Sequence, residues 1–512
     1  MNNVDIVICS LPSLLIDRVP GAPAILKSAV EEAGYTCKTI DLSIEFFINQ
    51  CKQDLGLYHT LSSIFRPGET SNELAKQACK DWVSESVDQL KIINPSVIGL
   101  SVFTNFQHRA TIKLAQAIRE HMPNVKIIVG GMGLIVNASS LSSEPGIKKI
   151  DLLKPFPQYL TEKKLVDEVI LHGNDLTDLV NALERIVGIS EKTKKLNYKE
   201  DKVIYNSPVP DYSDYKLNYY LWSQGKSLPV TGSKGCVRSC TFCDIPTQFG
   251  KFKYRTGKNI AEEIIELSQK YNIRRFEFTD SLVNGSVKSF KEWLTVLADY
   301  NDQQSEENKI YWFGQYICRP QKLTPSDIYP LMKRSGVLSL VIGLESGSNY
   351  ILKSMKKQVA VEDYYDELEQ FQKHDIHCQL LMLPGFYNET WDRFLETLEC
   401  IVKLQKYLAI GTVDKLSVGT PLFINERMEI TQMIEEIGMI VDPYDNHNWK
   451  MKSDSEYDYV ERARRRLIIQ VLVDKLGIPQ NYTAVSQVIT ILEKLTTYKS
   501  QLEEKLQTHE HK

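Results

Sequence analysis

The chain has 512 residues, 43% of them hydrophobic and 25% charged, with a formal net charge of −4. That length exceeds what one core supports and implies two or three domains, while the slight negative charge excludes a broad basic surface for nucleic acid. No apolar run is long enough to cross a bilayer.

Residues 1–10 have no basic segment ahead of their apolar run, so they read as a first strand and not a signal peptide. The ten cysteines fit a reducing compartment better than a disulfide framework, and a cytoplasmic location is expected. Seven of them (Cys9, Cys37, Cys51, Cys79, Cys318, Cys378 and Cys400) are scattered and read as small buried hydrophobes.

Residues 4–8 are apolar but for Asp5, as expected of a strand covered on both faces. Ile25, Leu26, Ala29, Val30 and Ala33 then recur at helical spacing, ended by Gly34. Further strands are expected at 36–41, 96–102, 126–131 and 168–173. Residues 54–89 read as helical, though the pattern there is weak. Strand alternating with helix predicts a Rossmann-like, doubly wound parallel sheet over residues 1–189. Ligands bind such sheets beyond the carboxyl ends of the strands, here residues 10–12, 101–105, 130–133 and 172–175. Residues 190–227 read as a linker, whose Tyr-rich stretch at 211–225 is expected to pack across the mouth of the next domain.

The second domain, 228–423, opens with a strand and then the loop Gly232-Ser-Lys-Gly-Cys-Val-Arg-Ser-Cys-Thr-Phe-Cys-Asp244. Cys236, Cys240 and Cys243 stand at C-x3-C-x2-C spacing. Three thiolates this close converge on one soft metal centre. Structural zinc takes four ligands, and no other Cys or His lies between residues 225 and 270. The set therefore suits a [4Fe–4S] cluster with one iron left open. The blander readings are a zinc site with a distant ligand, or three unconnected buried cysteines. Asn259, with Glu262 three residues on, looks like a capping box. Strands expected at 275–280, 309–314, 338–345, 377–385 and 413–418 complete a partial (β/α)6 TIM barrel, in which chemistry sits at the carboxyl ends. Asp280 (with Ser281 and Asn284), Arg319, Glu345 and Leu383-Pro-Gly385 fall at those ends in order.

The cysteine loop and this ordered series of strand ends resemble the radical S-adenosylmethionine (SAM) superfamily. The resemblance covers about 228–423 and implies a [4Fe–4S] cluster on Cys236, Cys240 and Cys243 that cleaves SAM to a 5′-deoxyadenosyl radical. It places Phe242 near the adenine, Asp280 near the SAM amino group and Glu345 at the ribose, and Arg319 suits the SAM carboxylate. The N-terminal sheet is similar to the cobalamin-binding-like domain of many relatives, which implicates Ser101, Thr104, Gly130, Gly131 and Gly173 in holding a corrin. The Asp-x-His-x-x-Gly motif of classical cobalamin domains is absent, and His108 has no Asp two residues before it. Cobalamin, or a vestigial domain serving substrate or interface roles, both stay open. The implied partners are a small-molecule or peptide substrate and a reductant such as flavodoxin or ferredoxin, with no membrane and no nucleic acid.

Residues 424–512 read as a helical extension, with helices at 428–438, 453–476 and 484–507 and an aromatic loop at 442–449 containing His447. Arg462, Arg464, Arg465 and Arg466 point in different directions at helical spacing, which suggests a solvated face. Two other functions fit parts of this sequence: a methylthiotransferase-like enzyme, whose N-terminal domain would carry a second cluster, and a non-catalytic iron–sulfur or zinc protein.

Overall fold

A computed structural model describes residues 4–12, 16–66, 72–135, 138–141, 148–152, 154–171, 175–189, 193–194, 203–222, 225–419, 421–442, 445–454 and 456–476. The chain divides into two compact units, one of Met1–Lys199, Asn206–Pro229 and Glu266–Arg275, the other of Glu200–Tyr205, Val230–Ile265 and Phe276–Lys512.

The first unit holds a five-stranded sheet of β1 (Ile6–Ser10), β2 (Cys37–Asp41), β3 (Val97–Ser101), β4 (Lys126–Gly130) and β5 (Glu168–Ile170). The strands run in the order β2-β1-β3-β4-β5, every neighbouring pair parallel. β1 is buried along its whole length, which explains its unbroken apolar run. The order reverses between β1 and β3, so the ligand crevice of this architecture falls at residues following Ser10 and Ser101. The weakly patterned stretch is two helices, Leu55–Ser62 and Glu73–Ile93.

Residues 206–229 are bonded into this unit. Lys27 Nζ meets Asp214 at 2.6 Å and Asp211 at 3.3 Å, and Tyr220 donates to Asp41 at 2.5 Å. The first of these ammonium–carboxylate pairs is nearly buried on the lysine side, so the Tyr-rich segment is held by charge as well as by its rings.

The remaining strands are β6 (Ser227–Val230), β7 (Ser233–Lys234), β8 (Lys253–Tyr254), β9 (Arg275–Phe278), β10 (Tyr311–Tyr316), β11 (Val337–Glu345), β12 (Cys378–Met382), β13 (Val413–Val418), β14 (Met439–Val441) and β15 (Trp449–Met451), of which β6 enters the second unit at Val230 and β9 at Phe276. Six of these form a sheet in sequential order, β13-β12-β11-β10-β9-β6, with helices between successive strands. This is the open barrel expected from the βα repeats. Phe278, Phe290, Trp293 and Trp312 fill its core edge-to-face and stacked, with Trp293 and Trp312 centroids 4.7 Å apart.

Three local expectations are corrected. Asn259 lies inside the helix Gly257–Tyr271 and takes a bond from Arg255 Nε, while Thr256 Oγ1 accepts the Asn259 amide at 3.4 Å. The cap is therefore Thr256. Residues 428–438 form two short turns, Glu429–Gln432 and Ile434–Ile437, and β14 pairs antiparallel with β15 around the aromatic loop. The arginine run is not a solvated face: on the helix Tyr459–Lys475, Arg462 and Arg465 are buried and Arg464 is exposed. The helix expected at 484–507 lies outside the described residues.

Candidate active site

The cysteine loop leaves β6 at Thr231 and is fastened at both ends. At its start, the Asp280 carboxylate accepts from Gly232 N at 2.8 Å and from Ser233 Oγ at 2.5 Å. Arg255 donates twice around the same point: its amide donates to Gly232 O at 2.8 Å and its Nη1 to Thr231 O at 3.0 Å. A buried ion pair with Glu263 at 2.7 Å neutralises that guanidinium. Asp280 is 3% exposed, and burial pushes its carboxyl up to about 7 against the pull of Ser233, Gly232 and Arg255. At the loop's far end, Thr241 N donates to Met355 O at 3.1 Å and Thr241 O accepts from Ile430 N at 2.9 Å. Phe242 packs on the cluster formed by Ile351, Met355, Leu422, Met428 and Trp449. The C-terminal region thus supports the cysteine loop directly.

Cys236, Cys240 and Cys243 are free and partly exposed. Burial raises the Cys240 thiol, opposed by Lys357 and Arg238, and raises Cys243 to about 11. Among the described residues, no three His, Cys, Asp or Glu side chains are gathered for a single metal ion. A cluster does not require that, because its three cysteines bind three separate irons at the corners of a cube. The donor set itself, three thiolates with two guanidinium groups beside them that each keep one buried nitrogen without an acceptor, fits an anionic cluster.

Those guanidiniums are Arg238 and Arg319. Arg238, inside the loop, donates from Nη2 to Cys318 O at 2.5 Å, and its buried Nη1 has no partner. Arg319, at the end of β10, donates to Asn284 O at 3.0 Å and Gly285 O at 3.2 Å, and its buried Nε has none. Burial and the neighbouring Arg238 lower the Arg319 pKa. Asn284 is spent on the main chain of Ile317, to which it both donates and accepts. Behind Arg319, Glu367 accepts from Tyr316 at 2.6 Å and Tyr329 at 3.2 Å, and burial lifts it to about 7.

Glu345 closes β11 in an unusual conformation. Its φ is 67°, a left-handed value for a residue with a Cβ, and the pairing with β12 shifts register between Gly343 and Glu345. The bulge turns the carboxylate back over Gly343, where Glu345 Oε1 meets Lys357 Nζ at 2.7 Å. A Cβ at position 343 would strike both groups. Lys357 Nζ also stands 5.8 Å from the Phe242 ring centroid. Sequence reasoning found Glu345 and Phe242 but missed Lys357, which lies on no strand end.

In the first unit, Gln107 ties the switch point together, donating to Leu11 O at 2.6 Å and accepting from Phe103 N at 2.5 Å and Thr104 N at 3.1 Å. Gly131 (φ 115°) and Gly133 lie against the backbone of Val102 and Thr104, so tight packing of the loops after β3 and β4 explains these glycines. Gly130 and Ser101 face each other as Cα partners at the strand ends. The Thr104 hydroxyl is buried without a partner, and Phe103 and Phe106 stand exposed beside it. Gly173 and His172 lie outside the described residues.

His108 is fully buried, bonded to Gly133 O at 2.7 Å and stacked on Phe156 at 3.6 Å, and burial takes it down to about 4.

Residues 230–401, from the last residue of β6 to the helix after β12, match the Radical SAM superfamily. The chain carries a radical SAM domain. The domain spans the cysteine loop, Asp280, Arg319 and Glu345. Over 348 residues the chain is 24% identical to an uncharacterized methyltransferase of Pyrococcus horikoshii, covering 65% of this chain and 68% of that one. Over 306 residues it is 27% identical to the ribosomal protein uS12 methylthiotransferase RimO of Clostridium botulinum, covering 56% and 65%. In fold it resembles the radical SAM methyltransferase TsrM of Kitasatospora setae, with TM-score 0.59, 14% identity and coverage of 86% and 79%. It also resembles the cobalamin-dependent radical SAM enzyme OxsB, with TM-score 0.55, 16% identity and coverage of 85% and 55%. Among the described residues no helix is long and apolar enough to cross a membrane.

Proposed function

We propose that this chain is a radical SAM enzyme of the cobalamin-binding type, which activates a C–H bond of a small-molecule substrate, with methyl transfer as the outcome. The observation that carries this reading is the three-cysteine loop, fastened at both ends within the matched domain. Cys236, Cys240 and Cys243 hold a [4Fe–4S] cluster. When bound, cluster and SAM together supply a 5′-deoxyadenosyl radical. The protein's own residues bind and orient: Phe242 lies at the adenine, Glu345 accepts from the ribose hydroxyls, and Arg319 pairs with the methionine carboxylate. Asp280 serves the amino end of SAM through the loop it anchors. The reductant is a small electron carrier of the flavodoxin or ferredoxin kind.

A corrin is assigned to the carboxyl edge of the first unit, at Ser101, Thr104, Gly130 and Gly131; Gly173, expected to join them, lies outside the described residues. Exposed Phe103 and Phe106 and the orphaned Thr104 hydroxyl support it, as does likeness of fold to TsrM, solved with cobalamin and a [4Fe–4S] cluster bound. A methylthiotransferase reading is weaker. Cys9, Cys37, Cys51 and Cys79 are buried and lie at wide, irregular spacing in the sequence, unlike the close trio of the cysteine loop.

Anaerobic reconstitution with iron and sulfide, followed by dithionite and SAM, should yield 5′-deoxyadenosine, and corrin bands should appear on loading with cobalamin. A saturated zinc centre, or an intact cluster that leaves SAM uncleaved, would overturn the proposal.

A further inference from the structure

We infer that Lys357 and Arg238 are the counter-charges of the cluster and set its reduction potential. This rests on the radical SAM reading above. Lys357 comes from the turn after the helix Asn349–Ser354, its side chain 8% exposed, and stands over Phe242 between two of the cysteines in sequence. Arg238 is 7% exposed, its amide lies 3.4 Å from Cys236 Sγ, and its Nη1 is buried with no acceptor. The two reach the cysteine loop from different segments of the chain.

Among the described residues, Lys357 is bonded to a carboxylate, that of Glu345, whereas the bonds of Arg238 and Arg319 go to main-chain carbonyls and each keeps a buried nitrogen without an acceptor. A buried guanidinium with an unused donor is costly unless an anion faces it. The bound cluster is that anion. Three thiolates on a doubly positive core leave one negative charge, and one-electron reduction makes it two. Buried cations stabilise the reduced form more than the oxidised one, so they raise the potential.

The test uses the full chain, reconstituted anaerobically and titrated potentiometrically with low-potential mediators, the reduced cluster being read by electron paramagnetic resonance without SAM. Arg238→Met and Lys357→Met should each keep their iron and sulfide, while the ratio of reduced to oxidised cluster at fixed potential falls about tenfold, or roughly 59 mV for one electron. Arg238→Lys and Lys357→Arg should hold the wild-type ratio. Glu345→Gln, which frees the Lys357 charge, should shift the ratio the other way and keeps the question open to measurement if a Met variant loses iron. Unchanged ratios in iron-replete Met and Gln variants would overturn the inference, as would equal shifts in the charge-keeping variants. A wild-type chain that takes up no cluster would instead refute the radical SAM reading.

Discussion

Glu345 carries its carboxylate 2.7 Å from Lys357 Nζ only because its backbone sits at φ 67° above a residue with no side chain, Gly343. Strain of this kind costs about 1–3 kcal/mol and is held by the pairing of β11 on both sides. The first prediction follows from that geometry. Gly343→Ala displaces both charged groups and should weaken SAM binding about tenfold, and Glu345→Ala should weaken it at least as much. Both variants should retain full iron content. Equilibrium binding of SAM to the reconstituted protein is the measurement, and unchanged affinity in Glu345→Ala refutes the ribose role.

Cysteine replacement tests the cluster itself. Cys236→Ala, Cys240→Ala or Cys243→Ala should each abolish 5′-deoxyadenosine formation and lose most iron and sulfide. The melting temperature of the apo protein should change little, since none of the three is fully buried. Iron, sulfide and nucleoside assays on the same preparations decide it.

Asp280 predicts a pH dependence. Its folded pKa of about 7 stands above the ordinary 3.8, so folding favours the protonated acid. The contribution is complete below the ordinary value and is lost as pH rises through about 7. Asp280→Asn keeps an acceptor for Gly232 but cannot ionise. The melting temperature of the variant relative to wild type should therefore climb between pH 5 and pH 8. A difference that stays flat with pH means the carboxylate is already charged in the native loop.

His108 bears on the corrin. Its ring is spent on Gly133 and Phe156, which leaves it unavailable to cobalt. Loaded with cobalamin and reduced to Co(II), the protein should show no nitrogen splitting traceable to His108. His108→Gln should leave the cobalt spectrum unchanged while lowering stability by about 1–3 kcal/mol, through loss of the stack and a buried bond. A changed spectrum refutes this.

Much of this site could be read before any coordinate was known, for a simple reason. Cysteine spacing is local, and strand ends follow from apolar runs such as those within Ile6–Ser10 and Val337–Glu345, so Cys236, Asp280, Arg319 and Glu345 are recognisable by position. Lys357 and Gln107 were not, because their partners are reached only after folding: Lys357 crosses to Glu345 and Phe242, and Gln107 bonds main-chain atoms up to 96 residues away. β14 and β15, three residues each, are too short for a period-two pattern to emerge. The arginines of the last helix were misjudged since an arginine's carbonyl and aromatic partners leave no trace in charge patterning.

Arg462 shows what that last case implies. Its guanidinium lies 3.5 Å over the Trp449 ring and donates to Trp449 O at 2.7 Å and His447 O at 2.8 Å. Arg462→Ala should cost about 3 kcal/mol in urea denaturation, two buried carbonyls being left bare.

None of Arg462's three partners titrates, and none is a mobile ion's competitor. High ionic strength and mild acid should leave this grip intact. Beside it, Arg465 bonds the Glu389 main-chain oxygen and also its carboxylate, at 3.2 Å, and the carboxylate part is what acid can unfasten. The helix Tyr459–Lys475 is moored by one line indifferent to the solvent and one that answers to it.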